Sequence, residues 1–170
     1  MTSTRQAERV LIRADGAARG NPGRASAGAV IIDASRAGSS DPDAPPVAVI
    51  ARPLGIQTNN YAEYMGVILA LEKALDLGAR EVELVLDSKL IVEQLSGRWK
   101  VKHPGIKPLV ARAHELLRQL DRWSIRHERR ENNVQADAMA GRLTSFRARA
   151  TTTRLKVCVR IAGRLVTGHC

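Results

Sequence analysis

The chain has 170 residues, of which 44% are hydrophobic and 3% aromatic, and its formal net charge is +10. This length suits one domain with a single core, built mainly from Val, Leu, Ile and Ala. The chain has no apolar run of about 18 residues and no signal-peptide pattern, which excludes a membrane-spanning helix and predicts a cytoplasmic protein. Cys158 and Cys170 match no zinc spacing or disulfide framework, so free thiols are expected.

Most of the excess positive charge lies near the C-terminus. From Ala138 to Cys170 there are seven basic residues and no acid, whereas the other 137 residues have a net charge of only +3. A basic appendage on a nearly neutral body indicates a polyanionic partner, with nucleic acid the leading candidate, although a solvated basic tail explains the charge equally well. We therefore divide the chain into a domain at 1–145 and a basic tail at 146–170, whose alternating pattern predicts a β-hairpin.

The predicted elements follow one another in a simple order. Apolar and alternating runs predict strands at 9–15, 27–33 and 47–56, with a tight turn at Gly20-Asn21-Pro22-Gly23 and a loop at 34–46. A helix at about 60–77, a strand at 81–87, helices at 88–95 and about 109–120, a strand at 122–128 and a helix from about 133 come next. The order βββαβααβα predicts an α/β fold in which helices flank one five-stranded mixed sheet.

Four acids lie at the ends of predicted strands or near the starts of predicted helices: Asp15, Glu63, Asp87 and Asp137. Two carboxylates about 5 Å apart repel by roughly 3 kcal/mol at an effective dielectric of about 20. If the four converge, the cluster requires protons or divalent cations. Oxygen-only ligands favour Mg²⁺ or Mn²⁺, as in metal-dependent phosphoryl-transfer sites.

Each acid taken singly also has a purely structural explanation. Asp15 could begin a turn, and Glu63 could form a helix N-terminal box with Asn60. Asp87 could cap the helix that follows it, and Asp137 could be an ordinary charge on a helix surface.

With the acids placed on these elements, residues 9–145 resemble ribonuclease H of type 1. The matching blocks are Asp15-Gly16 with Gly20-Asn21-Pro22-Gly23, then Thr58-Asn59-Asn60-Tyr61-Ala62-Glu63, Leu86-Asp87-Ser88, and His127 with Ala136-Asp137-Ala138. Each block is weak alone, but their order is specific. The segment 97–104 resembles the bacterial and archaeal subgroup that lacks the family's basic protrusion. The resemblance implies the ribonuclease H-like fold.

The resemblance also implies an activity. It predicts an endonuclease that hydrolyses the RNA strand of RNA–DNA hybrids and leaves 3′-hydroxyl and 5′-phosphate ends. Asp15, Glu63, Asp87 and Asp137 match the family's metal-binding carboxylates, which hold two Mg²⁺ or Mn²⁺ ions with substrate bound. His127 matches a histidine that handles protons or helps product release; the alternative is a strand-end histidine without a role.

Substrate contacts are expected from two places. Gly20, Asn21, Asn59 and Asn60 would read the minor groove and the 2′-OH, and Thr58 matches a residue of the family's DNA-phosphate pocket. Helix capping is the alternative for Asn59 and Asn60.

The second source of expected substrate contacts is a basic stretch that follows the second predicted helix. Lys100 and Lys102 would bind phosphates while Trp99 stacks or packs beside them, unless Trp99 instead anchors its loop to the core. Many family members carry arginine where this chain has Ile56, so the DNA-phosphate pocket is expected to bind phosphate more weakly here. The basic tail is a second candidate for binding phosphates.

Two rival functions remain open from the sequence. One is a non-catalytic module that binds hybrids or double-stranded RNA, and the other is a related nuclease such as a transposase core. The predicted ribonuclease is expected to be a monomer.

Overall fold

The computed structural model describes residues 7–144. The strands in this part of the chain are β1 (Arg9–Gly20), β2 (Gly23–Asp33), β3 (Ala48–Gln57), β4 (Glu81–Leu86) and β5 (Arg122–His127). The helices are α1 (Asn59–Asp76), α2 (Lys89–Leu95), α3 (Lys107–Leu117) and α4 (Val134–Thr144), with a 3-10 helix at Arg130–Asn132. The predicted order βββαβααβα is confirmed, and the 3-10 turn before α4 is an addition to it.

The five strands form one mixed sheet in the order β3-β2-β1-β4-β5. β1 pairs antiparallel with β2, which pairs antiparallel with β3. β1 pairs parallel with β4, which pairs parallel with β5. β1 and β4 therefore run in the same direction within the sheet. Residues that follow their last pair lie side by side where the carboxyl ends of these strands form one edge of the sheet.

The β1–β2 hairpin is longer than predicted. Pairing continues out to Gly20 opposite Gly23, so only Asn21 and Pro22 form the turn. The predicted strands were too short at this end because small residues such as Ala17 and Ala18 interrupt the apolar pattern. Backbone hydrogen bonds do not require large side chains, and the ladder therefore continues past them.

Aliphatic side chains make up most of the core. The larger cluster lies between the sheet and helices α1 and α3, and Tyr64 is the one aromatic side chain in its fully buried set within residues 7–144. A smaller cluster lies on the opposite face of the sheet, formed by Leu11, Val30, Ile32, Ala44 and Val85. The predicted core composition is confirmed, although Leu75 is only partly buried and Leu120 lies beyond the end of α3.

Two glycines allow helices to approach the sheet at backbone distance. A Cβ at Gly16 on β1 would lie 2.1 Å from the Glu63 backbone N in α1. A Cβ at Gly28 on β2 would lie 2.4 Å from the Ala140 backbone N in α4. Side chains at these two positions would displace α1 and α4, the helices that carry Glu63 and Asp137.

Arg13 is a fully buried cation that the sequence did not predict. Its side chain on β1 is 0% exposed. One guanidinium nitrogen donates to Glu128 Oε2 at 2.6 Å and to Asn132 O at 3.0 Å, and the other donates to Ser40 O at 3.0 Å. Glu128 offsets the cost of burying this charge, and Arg13 thereby attaches the segment before α4 to the sheet.

Some sequence predictions concern residues outside 7–144. The basic tail at 146–170, its predicted hairpin, and Cys158 and Cys170 all lie outside the described residues. Across the described range, no helix combines the length and apolar character needed to cross a lipid bilayer.

We expect Gly28→Ala to lower the free energy of unfolding by about 1–3 kcal/mol, because the new methyl group would overlap the α4 backbone. Gly141→Ala on α4 is the matched control, since a Cβ there meets nothing within 4 Å. Urea unfolding followed by circular dichroism measures both variants. Equal stability of the two would contradict the close approach of α4 to β2.

Candidate active site

Asp15 and Asp87 lie side by side at the edge where the parallel central strands stop pairing. The last β1–β4 pair is Ala14 opposite Leu86, and one acid follows each of these residues. Asp15 is only 5% exposed. The parallel register thus brings together two acids that are 72 positions apart in the sequence.

Glu63 reaches the same edge from α1. Its Oε1 accepts a hydrogen bond from Asn59 Nδ2 at 2.9 Å, and Ser88 also bonds to its carboxylate. Thr58 caps α1 by accepting from the Tyr61 backbone N at 3.2 Å, so the alternative of an N-terminal box between Asn60 and Glu63 is wrong.

For Asp87 the structural alternative is wrong, whereas the exposure and ion pair of Asp137 also fit an ordinary charge on a helix surface. The N-cap position of α2 is Ser88, so Asp87 is not the cap residue of that helix. Asp137, in the first turn of α4, has a 43% exposed side chain that accepts a hydrogen bond from Arg130 Nη2. The start of α4 is attached to β1 by buried Asn133, whose Nδ2 donates to Ala14 O at 3.2 Å.

The acids interact electrostatically with one another. Burial, then the charge of Asp87, raises the pKa of Asp15 to about 7, and the neighbouring Asp137 carboxyl adds to this while the Gly16 N–H opposes it. Burial also raises the pKa of Glu63, and Asp87 contributes, against hydrogen bonds from Ser88 and Asn59. The site therefore favours a proton or another cation at neutral pH.

The donor set fits a hard divalent cation, although the side chains are not preassembled around one. Within residues 7–144, no three His, Cys, Asp or Glu side chains are grouped closely enough to hold a metal ion. Asp15 Oδ2, however, is buried without a hydrogen-bond partner in this part of the chain. An unpartnered carboxylate oxygen beside other acids suits Mg²⁺ or Mn²⁺.

His127, the last residue of β5, lies beside Asp87. Its Nε2 is 3.1 Å from the Asp87 backbone O, and its side chain is exposed. Asp15, Glu63, Asp87 and Asp137 together form what we call the acidic edge. The histidine that the sequence singled out therefore lies at its rim.

The predicted substrate residues form two separate groups. Asn21 Oδ1 accepts from the Asn59 backbone N at 3.2 Å, which joins the hairpin turn after Gly20 to the start of α1, just after its cap residue Thr58. Asn60 is exposed beside them, and Ile56 is 65% exposed at the end of β3.

The second group follows α2. Trp99, Lys100 and Lys102 are exposed on the segment between α2 and α3. Trp99 is 47% exposed, so the alternative that it anchors this segment in the core is wrong.

Sequence reasoning missed three residues around the acids: Arg130, Asn133 and Ser88. Ser88 lay in a matching block and Asn133 at a predicted helix start, but the sequence assigned neither of them a contact with the acids. Arg130 lies seven residues before Asp137 in an ordinary basic stretch. No local signal marks it, because its contact with Asp137 requires the 3-10 turn that precedes α4.

Comparisons with known proteins agree with this geometry. Residues 13–143 match the family model described as "Reverse transcriptase-like". "Ribonuclease HI" of Halobacterium salinarum is 43% identical over 126 residues, covering 74% of this chain and 59% of that protein. "Bifunctional protein Rv2228c" of Mycobacterium tuberculosis is 43% identical over 132 residues, covering 78% of this chain. The chain spans only 34% of the length of that mycobacterial relative.

Solved structures share the fold over nearly their whole length. The N-terminal RNase H domain of Rv2228c, solved as a fusion with maltose binding protein, has a TM-score of 0.72 at 42% identity. The match covers 79% of this chain and 97% of that one. LC11-RNase H1 in complex with an RNA/DNA hybrid has a TM-score of 0.69 at 34% identity, covering 78% and 94%. By its sequence matches, its fold and its ordered acidic blocks, the chain belongs to the type 1 ribonuclease H family.

Proposed function

We propose that the protein is a divalent-metal-dependent endonuclease that hydrolyses the RNA strand of RNA–DNA hybrids. The observation that carries this proposal is the Asp15 carboxyl, which is buried among other acids and has one oxygen without a partner in the described range. A binding module that faced phosphates would gain nothing from such a cluster, because its charge repels the ligand. Family membership and the hybrid-bound relative LC11-RNase H1 support the same substrate.

Asp15, Glu63, Asp87 and Asp137 are the proposed metal ligands. When bound, two divalent cations supply activation of water and charge stabilisation for an in-line displacement that leaves 3′-hydroxyl and 5′-phosphate ends. Asn59 and Ser88 orient Glu63, and Asn133 holds the start of α4 against β1 next to Asp15. His127, held near the Asp87 backbone, would move a proton or help the product leave.

The hybrid would lie across both groups of substrate residues. Gly20, Asn21, Thr58, Asn59 and Asn60 would contact the minor groove and one phosphate. Lys100 and Lys102 would bind phosphates farther along, with Trp99 stacking or packing beside them, because exposed cations next to an aromatic ring suit a nucleic-acid strand. We assign the catalytic unit to residues 1–145, acting as a monomer, and we assign additional binding of nucleic acid to the basic tail.

The first test compares the wild type with Asp87→Asn on an end-labelled RNA–DNA hybrid, with and without Mg²⁺ or Mn²⁺. Matched double-stranded RNA and DNA are the controls. We expect metal-dependent cutting of the RNA strand in the hybrid and a loss of about 100-fold or more in the variant, as when one charge-stabilising group is removed. Binding of the hybrid without cutting in either metal would refute the enzyme and favour a recognition module.

Asp15→Asn should stabilise the metal-free protein at neutral and alkaline pH. The folded-state pKa of Asp15, about 7, is above its ordinary value of 3.8. The contribution of Asp15 to the stability of the wild type is therefore intact at low pH and is lost as the pH rises through about 7. Each unit of difference between the folded-state and unfolded-state pKa is worth about 1.4 kcal/mol. As the pH rises from about 5 to about 8, the free energy of unfolding of the variant should increase relative to that of the wild type by about 3 kcal/mol.

Urea unfolding in EDTA measures this difference, with Asp76→Asn in the last turn of α1 as the control. A gain that does not depend on pH would show that Asp15 is not strained by burial and repulsion.

His127→Ala should lower the turnover rate on the hybrid by about 100-fold if the imidazole handles a proton. His114→Ala on α3 is the control and should leave the rate unchanged. Single-turnover and steady-state rates on the same hybrid separate the two roles proposed for His127. Slow single turnovers indicate proton handling, and a rate lost only after the first turnover indicates product release. Wild-type rates in both regimes would remove His127 from the site.

A further inference from the structure

Arg130 places a positive charge among the four acids of this edge. Its Nη2 donates to Asp137 Oδ1. Asp137, and then Asp15 and Asp87, raise the pKa of Arg130. Its charge in turn lowers the pKa of Glu63, against the raising effect of burial. A single guanidinium thus interacts with all four carboxylates.

The backbone that carries Arg130 is held firmly. The 3-10 helix Arg130–Asn132 is attached to the sheet by buried Arg13, which donates to Asn132 O at 3.0 Å. Asn132 Nδ2 also donates to Glu128 Oε1 at 3.3 Å. These contacts fix the backbone of the arginine within reach of Asp137.

The side chain of Arg130, by contrast, is free to leave. It is 70% exposed, and the Asp137 side chain is 43% exposed. An ion pair in this setting is weak, because water solvates both partners once they separate. The guanidinium can therefore move into solvent without any change in the fold.

We propose that Arg130 is a built-in counter-ion that neutralises the acidic edge in the metal-free protein and competes with divalent cations for Asp137. This inference rests on the proposed metal-dependent function. A cation that binds Asp137 must displace the guanidinium from the same carboxylate. Arg130 thereby raises the metal concentration at which the site fills.

Titration of Mn²⁺ into the full-length protein, without nucleic acid, tests the proposal. The EPR signal of free Mn²⁺ gives the dissociation constant. We expect Arg130→Gln to bind Mn²⁺ about 5-fold more tightly than the wild type, the size of effect set by one exposed ion pair. Arg130→Lys, which keeps the charge, should bind like the wild type.

Arg129→Gln is the matched control, since it removes the same charge one residue earlier from an exposed side chain. Equal tightening in both glutamine variants would show a general effect of net charge and overturn the proposal. Weaker Mn²⁺ binding in Arg130→Gln would also overturn it, because Arg130 would then organise the ligands. Circular dichroism melts of each variant establish that the fold is intact.

The same titration separates this inference from the proposed function. If the wild type binds Mn²⁺ and cuts the hybrid while Arg130→Gln has wild-type affinity, only the counter-ion role fails. If the wild type neither binds Mn²⁺ nor cuts the hybrid, the metal-dependent function fails and the counter-ion role fails with it.

Discussion

The parallel pairing of β1 with β4 is the constraint on which the acidic edge depends. Its last pair, Ala14 opposite Leu86, makes Asp15 and Asp87 neighbours. Because side chains alternate along a strand, a shift of one residue in this register would turn one acid of the pair away from the other. Parallel strands also require a long crossover between them, and here that connection contains α1, the helix that carries Glu63.

Close packing at the backbone level completes the arrangement. Gly16 and Gly28 leave no room for a Cβ between the sheet and the helices α1 and α4. Glu63 and Asp137 are consequently held on rigid elements rather than on loops, one on each side of the sheet edge. Arg13 and Asn133 add polar attachments between β1 and the segment that leads into α4. The positions of the acids thus depend on contacts made well below the exposed surface.

These contacts hold together charges that repel. The molecule compensates in several ways that the geometry makes visible: burial favours a proton on Asp15, Asn59 and Ser88 donate to Glu63, and Arg130 donates to Asp137. None of these partners matches the double charge of a divalent ion. The fold thus holds these acids together with a partial set of compensating contacts, and the divalent cations proposed above would supply the remaining positive charge.

The sequence by itself determined the element order, the mixed sheet and the aliphatic core, because periodicity and ordered motifs are local properties. It also singled out the four acids as candidate site residues. It did not determine the length of the β1–β2 hairpin, since backbone pairing continues through Ala17 and Ala18 without an apolar pattern. Nor did it reveal Arg13, Asn133 or Arg130 as partners of the site. Arg13 and Glu128 are separated by 115 positions, and Asn133 and Ala14 by 119. Only the tertiary structure decides such pairs, because a buried or bridging polar side chain is recognised by what surrounds it and not by its neighbours in the chain.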